Sequence, residues 1–429
     1  MSGVDRLSDL PLEIKTSILR LLPIEEAVRT SRLSRSWRYV WTQLTRLFLN
    51  LSYPYDPEMP LARVKVVEYI IFCLRAPLID LFLDLWYFGD DHKAPHLFKF
   101  LHSIFPKDGL QTLSIDNYGD TVQIELPYFP SLRVLSLSRL TLNHLLLPSD
   151  FQGFAHLEDL SLDNVWIYQR DIQYLIDGST NLKVFRGYLY TYDEEPLSLT
   201  FSSPKLTSID YYFHEYTKEV KVVNAPCLEE AQISADTSYS SEEEEFALIA
   251  MSTSKFMMEV ANVSDLSFDF NTLMYLSQDA MSCALRVQFL RLRSLHLTED
   301  FSCLDERVFA TFCCLLRNMP ILESLEIKCC YPQSKPDAFP LNKCVKKEDS
   351  ISCLEQTLKR LTIFVTKTIS TSVIGMISCI VLNANVLKLV EIIYMEDSKV
   401  EPRIVKGLNL VPKASSDVKV VFSSISARR

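Results

Sequence analysis

Apolar residues recur along most of the chain in one frame, Leu-x-x-Leu-x-Leu, with other aliphatic or aromatic residues replacing leucine in places. The frames begin at Leu44, Leu78, Leu110, Leu132, Leu157, Leu182, Leu206, Leu228, Val263, Leu292 and Leu322. From Leu110 to Leu228 the starts lie 22 to 25 residues apart. Alternation with a period of two predicts a strand with one buried face, and a return of this length brings the next strand alongside in parallel. Because one such unit cannot bury its apolar face alone, the pattern predicts a stacked solenoid.

A long series of these frames is typical of leucine-rich repeats. We therefore expect an α/β fold in which residues 43–345 form an irregular repeat array, with parallel strands on the concave face and helices and loops outside. The asparagine common in such repeats is intermittent, with candidates at Asn117, Asn143 and Asn164. Insertions are predicted near 236–262 and 331–350. The first opens with Asp236–Glu245, DTSYSSEEEE, predicted to be a solvated acidic loop or a helix start, with its serines as alternative phosphorylation sites.

In the stretch Asp5–Trp41 the apolar residues are spaced three or four positions apart, as on one face of a helix. Ile14, Ile18, Leu21 and Leu22 share one face of a first predicted helix, which Pro23 ends. A short second helix follows, and Ser34 is predicted to cap a third that carries Trp37 and Trp41. Residues 1–42 are thus predicted to form three helices in a unit too small to stand alone, so its apolar surface packs on the rest of the chain or on a partner.

The same stretch resembles the F-box of plant F-box proteins with leucine-rich repeats. The matching residues are Leu10-Pro11, Glu13-Ile14, Ile18-Leu19, Leu22-Pro23, Val28–Ser31, Leu33-Ser34, Trp37-Arg38 and Trp41. In that family the F-box docks on a Skp-type adaptor, which binds a cullin scaffold carrying a RING subunit. The resemblance implies that the adaptor contact and the small core behind it are formed by Leu10, Pro11, Leu12, Ile14, Ile18, Leu22, Pro23, Val28, Leu33, Trp37 and Trp41.

The C-terminal residues 351–422 return to the strand frame at Leu358/Leu361/Ile363 and Leu387/Val390/Ile392, and Ser372–Asn383 is predicted to be a helix. This region resembles the FBD module that ends many plant F-box proteins, through Cys353–Ile363, Leu382–Ile392 and Val411–Phe422. We expect it to cap the apolar edge of the last repeat.

The positions between the buried leucines share the opposite face of the strands and are predicted to bind a protein substrate. The candidates are Arg186, Tyr188, Asp210, Tyr212, Gln232, His296, Glu326 and Lys328. Tyrosines concentrate near this face in GYLYTYDEE and YYFHEY. Exposed tyrosines are typical of protein interfaces, and the alternative is that several of them only fill thin repeats.

The composition and the apolar segments disfavour several other classes of function. A formal net charge of −10 disfavours binding to nucleic acid, and only nine glycines disfavour glycine-rich nucleotide loops. The longest apolar stretch, Val373–Leu382, is half the ~20 residues of a membrane span. Met1–Asp9 has no apolar segment typical of a secretory signal. The eleven cysteines are therefore predicted to be reduced thiols in a protein of the cytoplasm or the nucleus, or both.

No motif predicts catalytic, cofactor-binding or metal-binding residues. His92 and His96 have helical spacing, but Pro95 disrupts a helix there. Cys313-Cys314 and Cys329-Cys330 are adjacent pairs, and neighbouring residues on a strand point to opposite faces. The resemblance therefore implies the non-catalytic substrate-recognition subunit of a Skp–cullin–F-box ubiquitin ligase. The alternative is a leucine-rich scaffold that acts outside a ligase, with the N-terminal helices binding an adaptor there or serving only as a cap.

Overall fold

The computed structural model describes residues 6–50, 66, 69–85, 109–119, 122–147, 151, 153–236, 243–278, 287–298, 306–329, 350–365, 371–395, 414–415 and 417–425. His92, His96 and most of the predicted insertion at 331–350 lie outside these residues. The α-helices of the described part are α1 (Leu12–Leu19), α2 (Ile24–Arg29), α3 (Gln169–Asp177), α4 (Glu243–Glu259), α5 (Phe270–Gln278), α6 (Glu306–Arg317), α7 (Ser352–Gln356) and α8 (Thr371–Asn383). None of them is long and apolar enough to cross a membrane.

A strand occupies each predicted frame, which confirms the predicted series. The strands are β1 (Arg46–Asn50), β2 (Asp80–Leu85), β3 (Thr112–Asn117), β4 (Val122–Pro127), β5 (Val134–Ser138), β6 (Leu140–Leu146), β7 (Asp159–Ile167), β8 (Val184–Tyr190), β9 (Leu197–Phe201), β10 (Ser208–Phe213), β11 (Thr217–Val222), β12 (Glu230–Ala235), β13 (Asp265–Asp269), β14 (Ser294–Thr298), β15 (Ser324–Cys329), β16 (Arg360–Val365), β17 (Leu389–Met395) and β18 (Lys419–Ile425). Of these, β4, β6, β9 and β11 lie in return segments where helices and loops were predicted.

The chain divides into two compact units. The first is Met1–Glu195 with Thr200–Leu206 and Val223–Ala225, and the second is Pro196–Leu199 with Thr207–Val222 and Pro226–Arg429.

In the first unit, parallel strands pair in the order β1-β2-β3-β5-β7-β8, and β6 pairs with both β4 and β7. The second apolar residue of each frame lies opposite the second apolar residue of the next frame on the neighbouring strand. These side chains are at most 1% exposed, and they are Leu47, Leu81, Leu113, Leu135, Leu160 and Phe185. Asn117 is also buried, and its amide donates to the Arg139 carbonyl at 3.0 Å. This asparagine therefore bonds the backbone 22 residues further along the chain.

In the second unit, the parallel order is β10-β12-β13-β14-β15-β16-β17-β18. This unit has a buried ladder of its own, formed by Ile209, Ala231, Leu266, Leu295, Leu325, Leu361 and Val390. Strands β16 to β18 belong to the region that resembles the FBD module, and they extend the same sheet in register. Helix α8 matches the predicted helix within one residue. A capping role for this region stays a prediction.

The predicted third helix of the N-terminal unit is wrong as an α-helix. The segment consists of turns that lead into a 3₁₀ helix at Val40–Gln43. The Trp37 N–H donates to the Ser34 carbonyl, and the Val40 N–H donates to the Trp37 carbonyl, each at 3.2 Å. The Ser34 hydroxyl is bonded to Ser8 at 2.8 Å and is not a cap. The Ser31 hydroxyl donates to the Arg38 carbonyl at 3.0 Å, and the Ser36 hydroxyl donates to the Ser8 carbonyl at 3.2 Å. Serine side chains that bond the backbone in this way compete with helix formation, so this short serine-rich segment takes tight turns instead.

Two return segments are helices, which decides one open alternative and corrects one prediction. Helix α4 begins at Glu243, so the acidic stretch ends as a helix start, and the Ser252 hydroxyl bonds the Thr217 carbonyl at 2.9 Å. Cys313 and Cys314 lie on helix α6, so their predicted strand geometry is wrong. Cys313 is buried because it shares the helical stripe of Phe309, Phe312 and Leu316.

Candidate binding surfaces

Helix α1 of the N-terminal unit buries a different face from the predicted one, which was that of Ile14, Ile18, Leu21 and Leu22. Its buried residues are Lys15, Thr16 and Leu19. The Lys15 ammonium donates to the Ser8 carbonyl at 2.8 Å and lies 5.6 Å from the centre of the Trp37 ring. Cation–π contact and hydrogen bonding thus let a lysine occupy the interior. The apolar face of α1 turns outward as a result.

The outward side chains form the surface that we call the apolar patch, consisting of Leu12, Ile14, Leu21, Leu22 and Leu33. All five are exposed, and Leu21 is 84% exposed. Leu12, Ile14, Leu22 and Leu33 are four of the predicted adaptor-binding residues. Leu21 was placed on the same face by its spacing, but the family motif did not select it.

The remaining predicted F-box residues divide by burial. Trp37 and Trp41 are buried with Leu19, Ile24, Ala27 and Val40, so they form the small core behind the apolar patch. Pro11 and Pro23 are exposed at the helix starts, while Leu10, Ile18 and Val28 are half-buried. The Thr42 carbonyl accepts the Arg75 N–H at 2.7 Å and the Ala76 N–H at 3.3 Å. These bonds fix the end of this unit to the chain that enters β2.

The open face of each unit carries the side chains between the buried leucines. In the first unit, Ser136, Ser161 and Arg186 share one register, and Arg186 is bonded to Asp159 at 3.0 Å. Tyr188 lies beside Asp163 in the next register. In the second unit, Asp210 pairs with Gln232, and the Tyr212 hydroxyl donates to Asp236 at 3.5 Å. The structure thus divides the eight candidate substrate-binding residues between the two open faces.

Some residues of the open face are not among the candidate substrate-binding residues predicted from the sequence. Phe48 and Phe82 stack with ring centres 4.4 Å apart, and the Arg46 guanidinium lies over both rings while it bonds Asp80 at 3.1 Å. Both phenylalanines occupy the position between the second and third leucines of their frames. That spacing was the available signal, because it places two aromatic rings side by side on neighbouring strands.

A charged cluster surrounds His296 on the open face of the second unit. The two ring nitrogens lie 3.3 Å from an Asp265 oxygen and 3.4 Å from a Glu326 oxygen, and Lys328 lies 3.3 Å from Glu326. The hydrogen bond to Asp265 raises the pKa of His296, and the negative charges of Asp265 and Glu326 add to this effect against the opposing effect of burial. The imidazolium form of His296 can donate from both nitrogens, to Asp265 and to Glu326.

This raised pKa predicts a pH dependence of stability. Since the folded pKa of His296 lies above its unfolded value of about 6.5, its stabilising contribution is complete below that value and is lost as the pH rises through the folded pKa. We expect the free energy of unfolding of the natural chain to exceed that of His296→Gln most strongly near pH 6. Urea titrations across the pH range measure this difference. A difference that grows above pH 7 would contradict the assigned cluster, and Asp265→Asn should reduce the pH dependence.

Comparison with known proteins places these features in one family. The family described as "FBD-associated F-box protein At5g56370, LRR repeats" matches residues 99–327, which is more than half of the chain, and the F-box domain matches residues 7–49. Similar proteins of Arabidopsis thaliana include F-box/LRR-repeat protein At3g59250, 27% identical over 330 residues that span 75% of this chain and 73% of the relative. Putative F-box/FBD/LRR-repeat protein At3g59240 is 24% identical over 398 residues, 82% of this chain and 75% of the relative. The chain therefore belongs to the plant family of FBD-associated F-box proteins with leucine-rich repeats.

Proposed function

We propose that this protein is the substrate-recognition subunit of a Skp–cullin–F-box ubiquitin ligase. The apolar patch is the observation that carries this proposal. Five exposed aliphatic side chains stand on a small unit that has its own tryptophan core. Exposed apolar surface of this kind marks a protein-binding site, and an F-box indicates a Skp-type adaptor as the partner.

In this proposal the F-box tethers the chain to the adaptor, and through it to cullin and the RING subunit. A protein substrate held on the open faces is then brought close to the charged ubiquitin carrier, which raises its effective concentration. The chain itself contributes binding and position, in keeping with a family whose members are typically non-catalytic adaptors. We place this assembly in the cytoplasm or the nucleus, in agreement with Cys353 as a buried free thiol.

Co-purification with a Skp-type adaptor tests the proposal directly. We expect the intact chain to retain the adaptor and the variant Ile14→Asp with Leu22→Asp to lose it, because a buried, unpaired carboxylate at the contact is costly. Both side chains are exposed in the free chain, so the variant should keep its fold. The matched control is Val223→Asp with Leu290→Asp, which charges two exposed apolar residues outside the F-box and should retain the adaptor.

A second measurement separates the ligase from the scaffold. The chain is mixed with adaptor, cullin, RING subunit and charged ubiquitin carrier, and ubiquitin transfer to the chain's own lysines is followed. Transfer that requires Ile14 and Leu22 supports the proposal. Retention of the adaptor without any transfer would instead favour the scaffold, and failure to bind the adaptor would leave the N-terminal unit as a cap.

A further inference from the structure

Five aromatic side chains form a continuous surface at the carboxyl ends of β7 and β8 in the first unit. We call it the aromatic strip, and it consists of Trp166, Tyr168, Tyr188, Tyr190 and Tyr192. Trp166 and Tyr190 stack with ring centres 4.9 Å apart and an angle of 15°, and Tyr192 lies 4.9 Å from Trp166. The strip is half-buried as a whole, and Tyr192 is 45% exposed.

The strip depends on a shift of register within β7. Asn164 has a φ of 53°, and the pairing with β8 shifts between Asp163 and Val165. Asparagine tolerates this left-handed conformation better than most residues. The bulge turns Val165 and Ile167 into the core and sets Trp166 opposite Tyr190 on the outer side.

Hydrogen bonds hold the strip in place before any partner binds. The Tyr192 hydroxyl lies 3.0 Å from the Thr141 hydroxyl, and Tyr188 and Tyr190 share a hydroxyl contact of 2.5 Å. The Asp193 carboxylate accepts the Gln169 N–H at 2.6 Å at the start of α3, which fixes the segment after β8. An ordered aromatic surface loses little conformational entropy on binding, and this favours affinity.

The rim of the strip is acidic. Asp163 stands beside Tyr188, and Glu194 and Glu195 follow Tyr192 as exposed residues. Among the described residues, Asp163 and Glu194 have no ion-pair partner, and Asp163 accepts one bond from the Ser138 hydroxyl at 3.1 Å. Of the nearby arginines, Arg186 is paired with Asp159 at 3.0 Å and Arg170 with Asp171 at 3.6 Å. The exposed Arg139 donates its backbone N–H to the Asp163 carbonyl at 2.8 Å and adds one positive charge, against the carboxylates of Asp163, Glu194 and Glu195. The net charge of the rim is therefore negative.

We propose that the aromatic strip and its acidic rim dock an extended, lysine- or arginine-containing segment of the protein substrate. This inference rests on the proposed function and adds the chemical class of the substrate. Long basic side chains lay their aliphatic stems on apolar surface and extend the charged head to carboxylates. Aromatic rings attract the same cations, so one side chain gains from both parts of the surface.

Fluorescence anisotropy with the full chain tests this inference. The probes are labelled glycine–serine peptides that carry three arginines, three glutamines, three glutamates or three prolines. We expect the arginine peptide to bind at least about tenfold more tightly than the glutamate peptide, and more weakly as salt is raised. Equal binding of the arginine and glutamate peptides, or preference for the proline peptide, would overturn the inference.

Matched variants assign the binding to the strip. Asp163→Asn with Glu194→Gln should weaken binding of the arginine peptide severalfold, whereas Glu244→Gln with Glu355→Gln removes two charges in the second unit and should leave it unchanged. Trp166→Phe should retain more binding than Trp166→Ala. Loss of binding in the charge control would overturn the assignment. Adaptor co-purification on the same preparations separates the two proposals, because a chain that retains the adaptor and ignores the arginine peptide contradicts only this inference.

Discussion

Replacement of Leu325 by alanine is expected to destabilise the second unit by about 2–5 kcal/mol, the range for removing a large buried aliphatic side chain. Leu325 is fully buried and lies in register between Leu295 and Leu361. A cavity here removes contacts to both neighbouring strands at once. Each repeat of a solenoid is stabilised mainly by the repeats on either side of it. We therefore expect the substitution to reduce the cooperativity of unfolding of the sheet as well as its stability.

The adjacent residue supplies the control. Ser324 is half-buried on the open face beside the buried Leu325, and Ser324→Ala should change the free energy of unfolding by about 0.5 kcal/mol or less. Urea unfolding followed by circular dichroism measures both variants against the natural chain. Equal losses at the two positions would contradict the assignment of faces, which depends on the alternation of buried and exposed residues along β15.

The same alternation explains why the strand series was predictable from the sequence. Burial of one face requires an apolar residue at every second position, and a shift by one residue would expose the whole set. All three frame positions are buried at Leu110, Leu113 and Ile115, and equally at the degraded frame Leu228, Ala231 and Ile233. The helices α3 to α6 in the return segments have no such constraint on register. Their rows of apolar residues are short and are interrupted by polar residues typical of loops, so the sequence did not predict them.

Tertiary contacts decided the features that the sequence did not predict. The outward face of α1 follows from Lys15, whose charge suggests exposure but whose ammonium is bonded inside to Ser8. The pairing of Trp166 with Tyr190 follows from the bulge at Asn164, since regular alternation through β7 would have set Trp166 toward the core. The candidate substrate-binding residues lie on the open faces because their positions follow from the leucine frame alone. Their binding to a substrate stays a prediction.

Replacement of Trp37 by alanine should have the largest effect on assembly. Trp37 is buried in the core of the N-terminal unit, and its ring is covered by the Lys15 ammonium. Truncating a buried tryptophan costs about 3–5 kcal/mol, which is of the order of the whole stability of a unit this small. We expect this variant to lose the Skp-type adaptor because the apolar patch no longer has a folded support, and limited proteolysis should cut it within residues 6–45.

Leu21→Asp is the matched variant, because Leu21 is 84% exposed and lies in the apolar patch rather than the core. It should lose the adaptor while its N-terminal unit resists protease as well as the natural chain does. Both variants should thus lose the adaptor, but only Trp37→Ala should become sensitive to protease. This difference separates loss of the contact from loss of the fold. If Trp37→Ala kept the adaptor, the tryptophan core would not be what presents the patch. If Leu21→Asp kept the adaptor, the partner would have to contact a surface other than the apolar patch.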